Sequence, residues 1–554
     1  MTHVHVMTHA AKLRSDPSRT VGSHWFDEYG VLALLVFCTF WFRFSVADVN
    51  SYWLDELYSV ERYTLPFETV SRALSSLAES SIHPPLYQLV LYYWIEFFGD
   101  AEIATRTLSN LYIAIATISI HRVGRLVGGQ RVADAAAIAF ALSYGAMYYG
   151  LETRSYAQTL MLSIISTHGF LLWIRHHRAP ATWRAILRSF PLVIFNVASL
   201  GLLLTHYFNF FFWSAQAVTS VLVALVWADR GARARLVITL TGSYAAQFGL
   251  FVAVWGRITV QSYERMEGRY STTSPEASPL AMVRAIADES FSLPTGLIDY
   301  TMLLAVALSA GYVVFHYRRL PATESSLWNV SSLIYITGMI YIPAVVAYLA
   351  FVLVKAERFS TRYVLYLLPP VILVFTLAGR SLLQVLTRHF RTRSEGTVRR
   401  LVAPGNLYLP VALVMTGLLV IPGTVRAASE SKADWRGISE RVVATVQGDA
   451  DRRYLIYETS FRSTPMLDYY LRRFGNDVTV DGTIRRVEER RGDGFAFEND
   501  PALESADRVV VVFAHHPISS FPLALSVLDK MLVLELSQLD AAGRGFLVYS
   551  VPGV

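Results

Sequence analysis

An acidic pair, Asp55-Glu56, stands directly after the first long apolar run of the chain, and His83-Pro84-Pro85 follows with Tyr87 just behind it. A carboxylate kept at the mouth of a membrane helix is costly, so the pair reads as functional. Three further polar clusters sit at the ends of later apolar runs: Glu152-Thr153-Arg154-Ser155-Tyr156, Thr205-His206-Tyr207, and the group Lys355, Glu357, Arg358, Arg362 and Tyr363. Acids, histidines, cations and aromatic faces in this combination suit group transfer from an anionic lipid. A carboxylate such as Asp55 can accept the proton of an attacking hydroxyl. Arginines and a lysine can hold a leaving phosphate as its charge grows. Trp53, Tyr58, Tyr87 and Tyr156 offer faces for a sugar ring, or belt positions at the membrane interface. Asp55, Glu152 and His206 alternatively match the oxygen and imidazole preferences of a divalent cation.

Asp55 and Glu56 are therefore the candidate catalytic residues. His83, Tyr87, Arg154, Tyr156, Lys355, Arg358, Arg362 and Tyr363 are the candidate substrate-binding residues. Each also has a structural reading. Asp55 or Glu56 can serve as a helix N-terminal acid, and the two prolines after His83 can simply break the chain. Glu152 and Arg154 can form a surface ion pair, and Arg358 and Arg362 can meet lipid headgroups.

The elements that must position these residues follow from composition. Of 554 residues, 53% are hydrophobic and 13% aromatic, and the mean hydropathy is +0.37. That is a membrane protein's composition. The net charge of +6 resides in short segments between apolar runs, where it orients a membrane protein rather than binding nucleic acid. The single cysteine, Cys38, lies inside the first apolar run. A disulfide framework and a cysteine-ligated zinc site are therefore excluded.

Residues 1–28, with His3, His5 and His9, read as a cytoplasmic N-terminal tail. The run from Tyr29 to about Val46 lacks a small-residue cleavage pattern and reads as a retained helix. Further runs long enough to span fall at about 102–121, 132–150, 156–174, 189–205, 208–228, 234–255, 296–315, 331–354, 363–379 and 406–424, giving about eleven transmembrane helices. The stretch 85–98 is too short to cross and is expected to lie in the interface plane, inside a large first outer loop at 47–101. With that choice every arginine-rich connector falls on the cytoplasmic side: Arg122 to Arg131, Arg175 to Arg188, Arg230 to Arg235, Arg318 and Arg319, and the dense group from Arg380 to Arg400. The membrane domain is thus expected over 29–427. From 428 to 554 short β-rich runs, Arg453–Tyr457, Asp507–Phe513, Met531–Leu536 and Phe546–Val551, alternate with polar, helix-compatible segments. They predict an extracytoplasmic α/β domain. No phosphate-binding glycine loop accompanies it, and His515-His516 read as loop residues.

The ordered series Trp53-Leu54-Asp55-Glu56, His83-Pro84-Pro85-Leu86-Tyr87, Phe98-Gly99 with Arg106, Tyr149 through Tyr156, and Thr361-Arg362-Tyr363 before Leu368-Pro369 resembles the GT-C superfamily. More narrowly, it is similar to the bacterial branch related to protein O-mannosyltransferases and to the aminoarabinose transferase that modifies lipid A. Lys432-Ala433-Asp434-Trp435-Arg436 is also like members of that branch. The resemblance implies an inverting glycosyltransferase, working on the outer face of the cytoplasmic membrane with a polyprenyl-phosphate sugar as donor and a glycan, lipid or protein as acceptor. By position Asp55 matches the family's catalytic acid of the first outer loop, and Glu152 its second-loop acid. In the lipid A enzyme these loops help hold a metal, whereas the protein mannosyltransferases are regarded as metal-independent, so a divalent cation stays an open alternative. The competing reading is a transporter or flippase of lipid-linked sugars. Coupled transporters keep ionisable groups near the bilayer midplane, while the expected spans place Arg43, Arg106 and Asp134 near helix ends.

Overall fold

The computed structural model describes residues 21–62, 64, 67–80, 83–266, 324–354, 361–391, 425–426, 432–448, 452–459, 464–474, 485–486, 490–491, 494–495, 500–514 and 517–552. The chain forms two compact units. One comprises Met1–Ser45, Ser75–Val90 and Arg106–Ser429, the other Val46–Leu74, Leu91–Thr105 and Glu430–Val554.

Helices dominate because long apolar runs in lipid must satisfy every backbone N–H and C=O internally. In chain order they are α1 (Val21–Val46), α2 (Leu54–Leu57), α3 (Val70–Ser80), α4 (Leu86–Phe98), α5 (Glu102–Gly128), α6 (Gln130–Ala141), α7 (Tyr144–Tyr149), α8 (Tyr156–His176), α9 (Trp183–Leu187), α10 (Phe190–Leu203), α11 (Asn209–Trp227), α12 (Arg230–Phe251), α13 (Arg257–Met266), α14 (Glu324–Val354) and α15 (Leu368–Arg391). Among the described residues seven helical stretches are long and apolar enough to cross a membrane: Tyr29–Val46, Glu102–Gly128, Tyr156–His176, Asn209–Trp227, Arg230–Ser262, Leu327–Ala350 and Arg362–Ser381, with Phe190–Leu203 a shorter apolar helix. This is a multi-pass membrane protein. The expected spans at 296–315 and 406–424 lie outside the described residues, as do His3, His5 and His9. The stretch expected at 85–98 is a 13-residue helix, Leu86–Phe98.

One expected span is corrected. The run 132–150 is two helices, α6 and α7, because Ser143 interrupts it in extended backbone and its hydroxyl accepts from the Ala146 N–H at 3.3 Å. A serine that caps a new helix start ends the one before it. Alanine-rich α6 then packs against α15, and eight of its residues are buried.

In the helical unit the tightest pairing is α8 with α10. Gly169 permits it, since a Cβ there would stand 2.8 Å from the Phe195 nitrogen. Small residues replace the hydrophobic effect as the basis of helix association in lipid. A polar knot completes the bundle: the Ser166 and Ser199 hydroxyls donate to Gln216 Oε1 at 2.9 and 3.2 Å, and Gln216 Nε2 donates to the Tyr335 hydroxyl at 2.7 Å.

The second unit is α/β. It contains α16 (Trp435–Gln447), α17 (Thr464–Phe474) and α18 (Pro522–Met531) with a five-stranded sheet in the order β2-β1-β5-β7-β6. Its strands are β1 (Tyr454–Glu458), β2 (Arg485–Arg486), β5 (Arg508–Phe513), β6 (Val533–Leu539) and β7 (Gly545–Ser550); β3 (Arg490–Arg491) and β4 (Gly494–Phe495) form a separate pair. β1 runs parallel to β2 and β5, whereas β7 is antiparallel to β5 and β6. The run Val509–Phe513 is buried throughout, as expected for a strand covered on both faces. Both ends of the first outer loop belong to this unit rather than to the membrane domain expected over 29–427. Tyr52 explains part of this: it is fully buried, its N–H donates to the Tyr470 hydroxyl at 2.7 Å, and its own hydroxyl donates to the Asp100 carbonyl at 2.8 Å. Ion pairs of Arg436 with Asp48 and of Arg473 with Asp100 act in the same sense.

Candidate active site

In the helical unit six of the expected site residues come together. Helix α4 starts directly after the two prolines that follow His83, and the Leu86 N–H at that start donates to the Leu204 carbonyl at the end of α10, at 2.8 Å. That bond brings His83 and His206 together, ring centroids 4.9 Å apart and the rings tilted at 40°. The turn before α8 supplies Arg154, whose Nη2 donates to His83 Nε2 at 3.5 Å and whose guanidinium lies 5.8 Å from the Tyr156 ring. The 3-10 turn Thr361–Leu367 supplies the rest: Arg362 lies 5.6 Å from the Tyr363 ring, and Tyr363 reaches His206 at 6.4 Å. Tyr87 is buried at the start of α4. Phe208 was not anticipated, yet it stacks on both His206 and Tyr363, at 5.3 and 4.5 Å. The aromatic run Tyr207 to Phe212 was its only sequence signal. Lys355 and Arg358 lie outside the described residues.

Both histidines of this cluster feel neighbouring cations. Burial, then the neighbouring His206, Arg154 and Arg362, hold His83 well below its ordinary pKa. Burial, then Arg154 and Arg362, push His206 down to about 3. Both rings are neutral near pH 7, and the two guanidiniums carry the charge. The Phe208 N–H donates to His206 Nδ1 at 3.3 Å, so the ring's proton sits on Nε2, a buried donor with no partner among the described residues. In the same way His83 Nε2, accepting from Arg154, leaves its proton on Nδ1. Donors and positive charge with neutral rings are the chemistry of an anion site.

A pH dependence follows. Between the unfolded value of about 6.5 and the folded value of about 3 for His206, the unfolded chain binds the extra proton. Stability is therefore intact above about pH 6.5 and falls as pH drops through this window, by up to about 1.4 kcal/mol per pH unit for this ring. Thermal melts of the purified protein from pH 7 to pH 4.5 should show this decline, and His206→Gln should flatten it; parallel slopes would contradict the assignment.

Among the described residues no group of three or more His, Cys, Asp or Glu that could hold a metal ion is found, and Asp55 belongs to a different unit of the chain from Glu152 and His206. His206 Nε2 carries its proton, and two guanidiniums act on that ring. Glu152 is not half of a surface pair either, because it is 2% exposed; its carbonyl accepts from the Ser109 hydroxyl at 2.5 Å.

The acidic pair lies in the α/β unit. Asp55 is half-buried on α2, its carbonyl accepting from the Ser59 hydroxyl at 3.3 Å. Glu56 is fully buried, accepts from the Trp53 N–H at 3.3 Å and pairs with Lys432 Nζ at 3.2 Å. Glu56 thus has a holding role in its own unit, whereas the side chain of Asp55 stays half-open on its short helix.

The chain is similar in structure to ArnT from Cupriavidus metallidurans in the apo state, at 12% identity and a TM-score of 0.52, over 96% of this chain and 98% of that one. The same protein bound to undecaprenyl phosphate aligns at 13% identity and 0.49, over 95% and 99%. The oligosaccharyltransferase AglB from Archaeoglobus fulgidus, in complex with an inhibitory peptide and a dolichol-phosphate, aligns at 10% and 0.47, over 88% and 70%. No protein-family model matches the chain, and no curated protein does. The likeness to apo ArnT shows that the chain shares that protein's fold.

Proposed function

We propose that this chain is an inverting GT-C glycosyltransferase that moves a sugar from a polyprenyl-phosphate donor to a glycan, lipid or protein acceptor on the outer face of the cytoplasmic membrane. The observation that supports this most is the half-buried donor cluster, in which Arg154 and Arg362 act on two neutral histidines. The class of donor is the one that the resemblance of the motif series, Trp53 to Glu56, His83 to Tyr87 and Thr361 to Tyr363, implies.

In the proposed step an acceptor hydroxyl attacks the anomeric carbon from the face opposite the phosphate. The new C–O bond forms as the bond from carbon to phosphate oxygen breaks, and that electron pair leaves with the polyprenyl phosphate. Asp55 takes the hydroxyl proton. Arg154, Arg362 and the Nε2–H of His206 meet the phosphate, whose charge rises as the bond breaks, so they stabilise the transition state more than the ground state. Tyr87, Tyr156 and Tyr363 supply faces for the sugar, and Lys355 and Arg358 belong to the proposed phosphate contacts. The deciding experiment incubates the purified protein in nanodiscs with a panel of polyprenyl-phosphate sugars and follows sugar release. No release from any donor, together with movement of lipid-linked sugar across vesicles, would overturn the reading in favour of transport.

His206 gives a finer test. Glutamine places an N–H near the position of Nε2, whereas asparagine mimics only Nδ1. His206→Asn should lower kcat/KM for the donor about 10- to 100-fold, mostly through kcat, the worth of one hydrogen bond to a charged group, and His206→Gln should recover most of it. Equal losses would reject the donor role.

A further inference from the structure

The first span carries a second arginine that the cluster above does not use. Arg43, in the last turn of α1, is fully buried. Its Nε donates to Asn110 Oδ1 at 2.7 Å, and its Nη1 lies 3.4 Å from both the Ala141 carbonyl and Met147 Sδ. Its Nη2 has no hydrogen-bond partner, and no carboxylate pairs with it among the described residues. Two of these contacts have a plain structural sense. Asn110 is itself fixed by donating to the Phe40 carbonyl at 2.9 Å, and Ala141 is the last residue of α6, whose carbonyl end attracts a cation. The missing counter-charge has no such explanation, because a buried guanidinium without a carboxylate is a net cost to the fold.

The side chain lies against the turn that carries Arg154. A Cβ on Gly150, the residue closing α7, would stand 2.9 Å from Arg43 Cδ and 3.2 Å from its Nε. Only glycine fits between that guanidinium and the turn. From the other side Ser109 grips the Glu152 carbonyl of the same turn. We infer that Arg43 is a positioning residue for the phosphate site: it seats the Gly150 turn and with it Arg154, and its uncompensated charge favours an anion bound there. This rests on the proposed function for the identity of that anion, the phosphate of a polyprenyl lipid.

The inference separates stability from binding. Methionine matches the arginine stem in volume, and replacing a buried unpaired charge by a packed apolar side chain is neutral or stabilising. Arg43→Met in nanodiscs should therefore keep or raise the melting temperature while weakening undecaprenyl phosphate binding at least tenfold, and Arg43→Lys should restore much of the affinity. Inorganic phosphate as competitor separates headgroup from prenyl chain: its inhibition constant should rise by the same factor as the lipid's Kd. A shift for the lipid alone would place the effect on the chain and overturn the inference. So would unchanged lipid binding in Arg43→Met, or a large fall in melting temperature, which would make Arg43 a structural residue only. Failure of the wild-type protein to bind undecaprenyl phosphate would instead count against the proposed function.

Discussion

Asp55→Asn should lower turnover by about 10²- to 10⁴-fold, the range for removing a positioned general base, with the KM for the lipid donor unchanged. Asparagine preserves the shape of the side chain and can still accept a hydrogen bond from the attacking hydroxyl. It cannot take the proton at neutral pH, so the loss belongs to the chemical step. A second readout distinguishes base catalysis from mere orientation. Acceptors with more acidic hydroxyls need less help, so the penalty of Asp55→Asn should shrink along such a series. Single-turnover sugar release at saturating donor measures both. Undiminished turnover in Asp55→Asn would remove the base from Asp55, and a penalty constant across acceptors would leave it an orienting role.

Much of this was legible in the sequence for identifiable reasons. The α/β domain announced itself because Asp507–Phe513 and Phe546–Val551 are short runs rich in β-branched or aromatic residues, and the observed strands Arg508–Phe513 and Gly545–Ser550 follow those runs closely. The short helix at 86–98 was legible from length alone. What hydropathy could not see is competition between local signals. Ser143 is one hydroxyl in an apolar run, yet as a cap it cuts 132–150 in two. Nor could any local pattern show that Val46–Leu74 and Leu91–Thr105 fold with the C-terminal domain, since Arg436 meets Asp48 across 388 positions of sequence. At the site, residue types revealed chemistry but not state. Only the Phe208 N–H on His206 Nδ1 shows which nitrogen bears the proton, and that detail makes Nε2 a hydrogen-bond donor. Arg43 was similar: the expected spans placed it near a helix end, while packing buries it completely.

The adjacent acid, Glu56, should behave in the opposite way to Asp55. Its carboxylate is fully buried, and Lys432, 15% exposed, is paired with it at 3.2 Å while lying 5.4 Å from the Trp53 ring. Removing one partner strands the other's charge away from water, which typically costs about 3–5 kcal/mol for a buried pair. Because Lys432 keeps some solvent, Glu56→Ala should fall near the lower end, about 3 kcal/mol. Glu56→Gln should cost less, since the amide oxygen still accepts from the Trp53 N–H. The double variant Glu56→Gln with Lys432→Met removes both charges and should recover most of the stability lost by Glu56→Ala, because the penalty lies in the unpaired charge rather than in the missing attraction. Thermal melts of the four proteins read this directly. Per folded molecule, turnover in Glu56→Gln should remain close to wild type. If it instead collapsed as in Asp55→Asn while the melting temperature stayed fixed, the proton-accepting role would have to be shared between the two carboxylates, and Lys432 would then serve to keep Glu56 ionised.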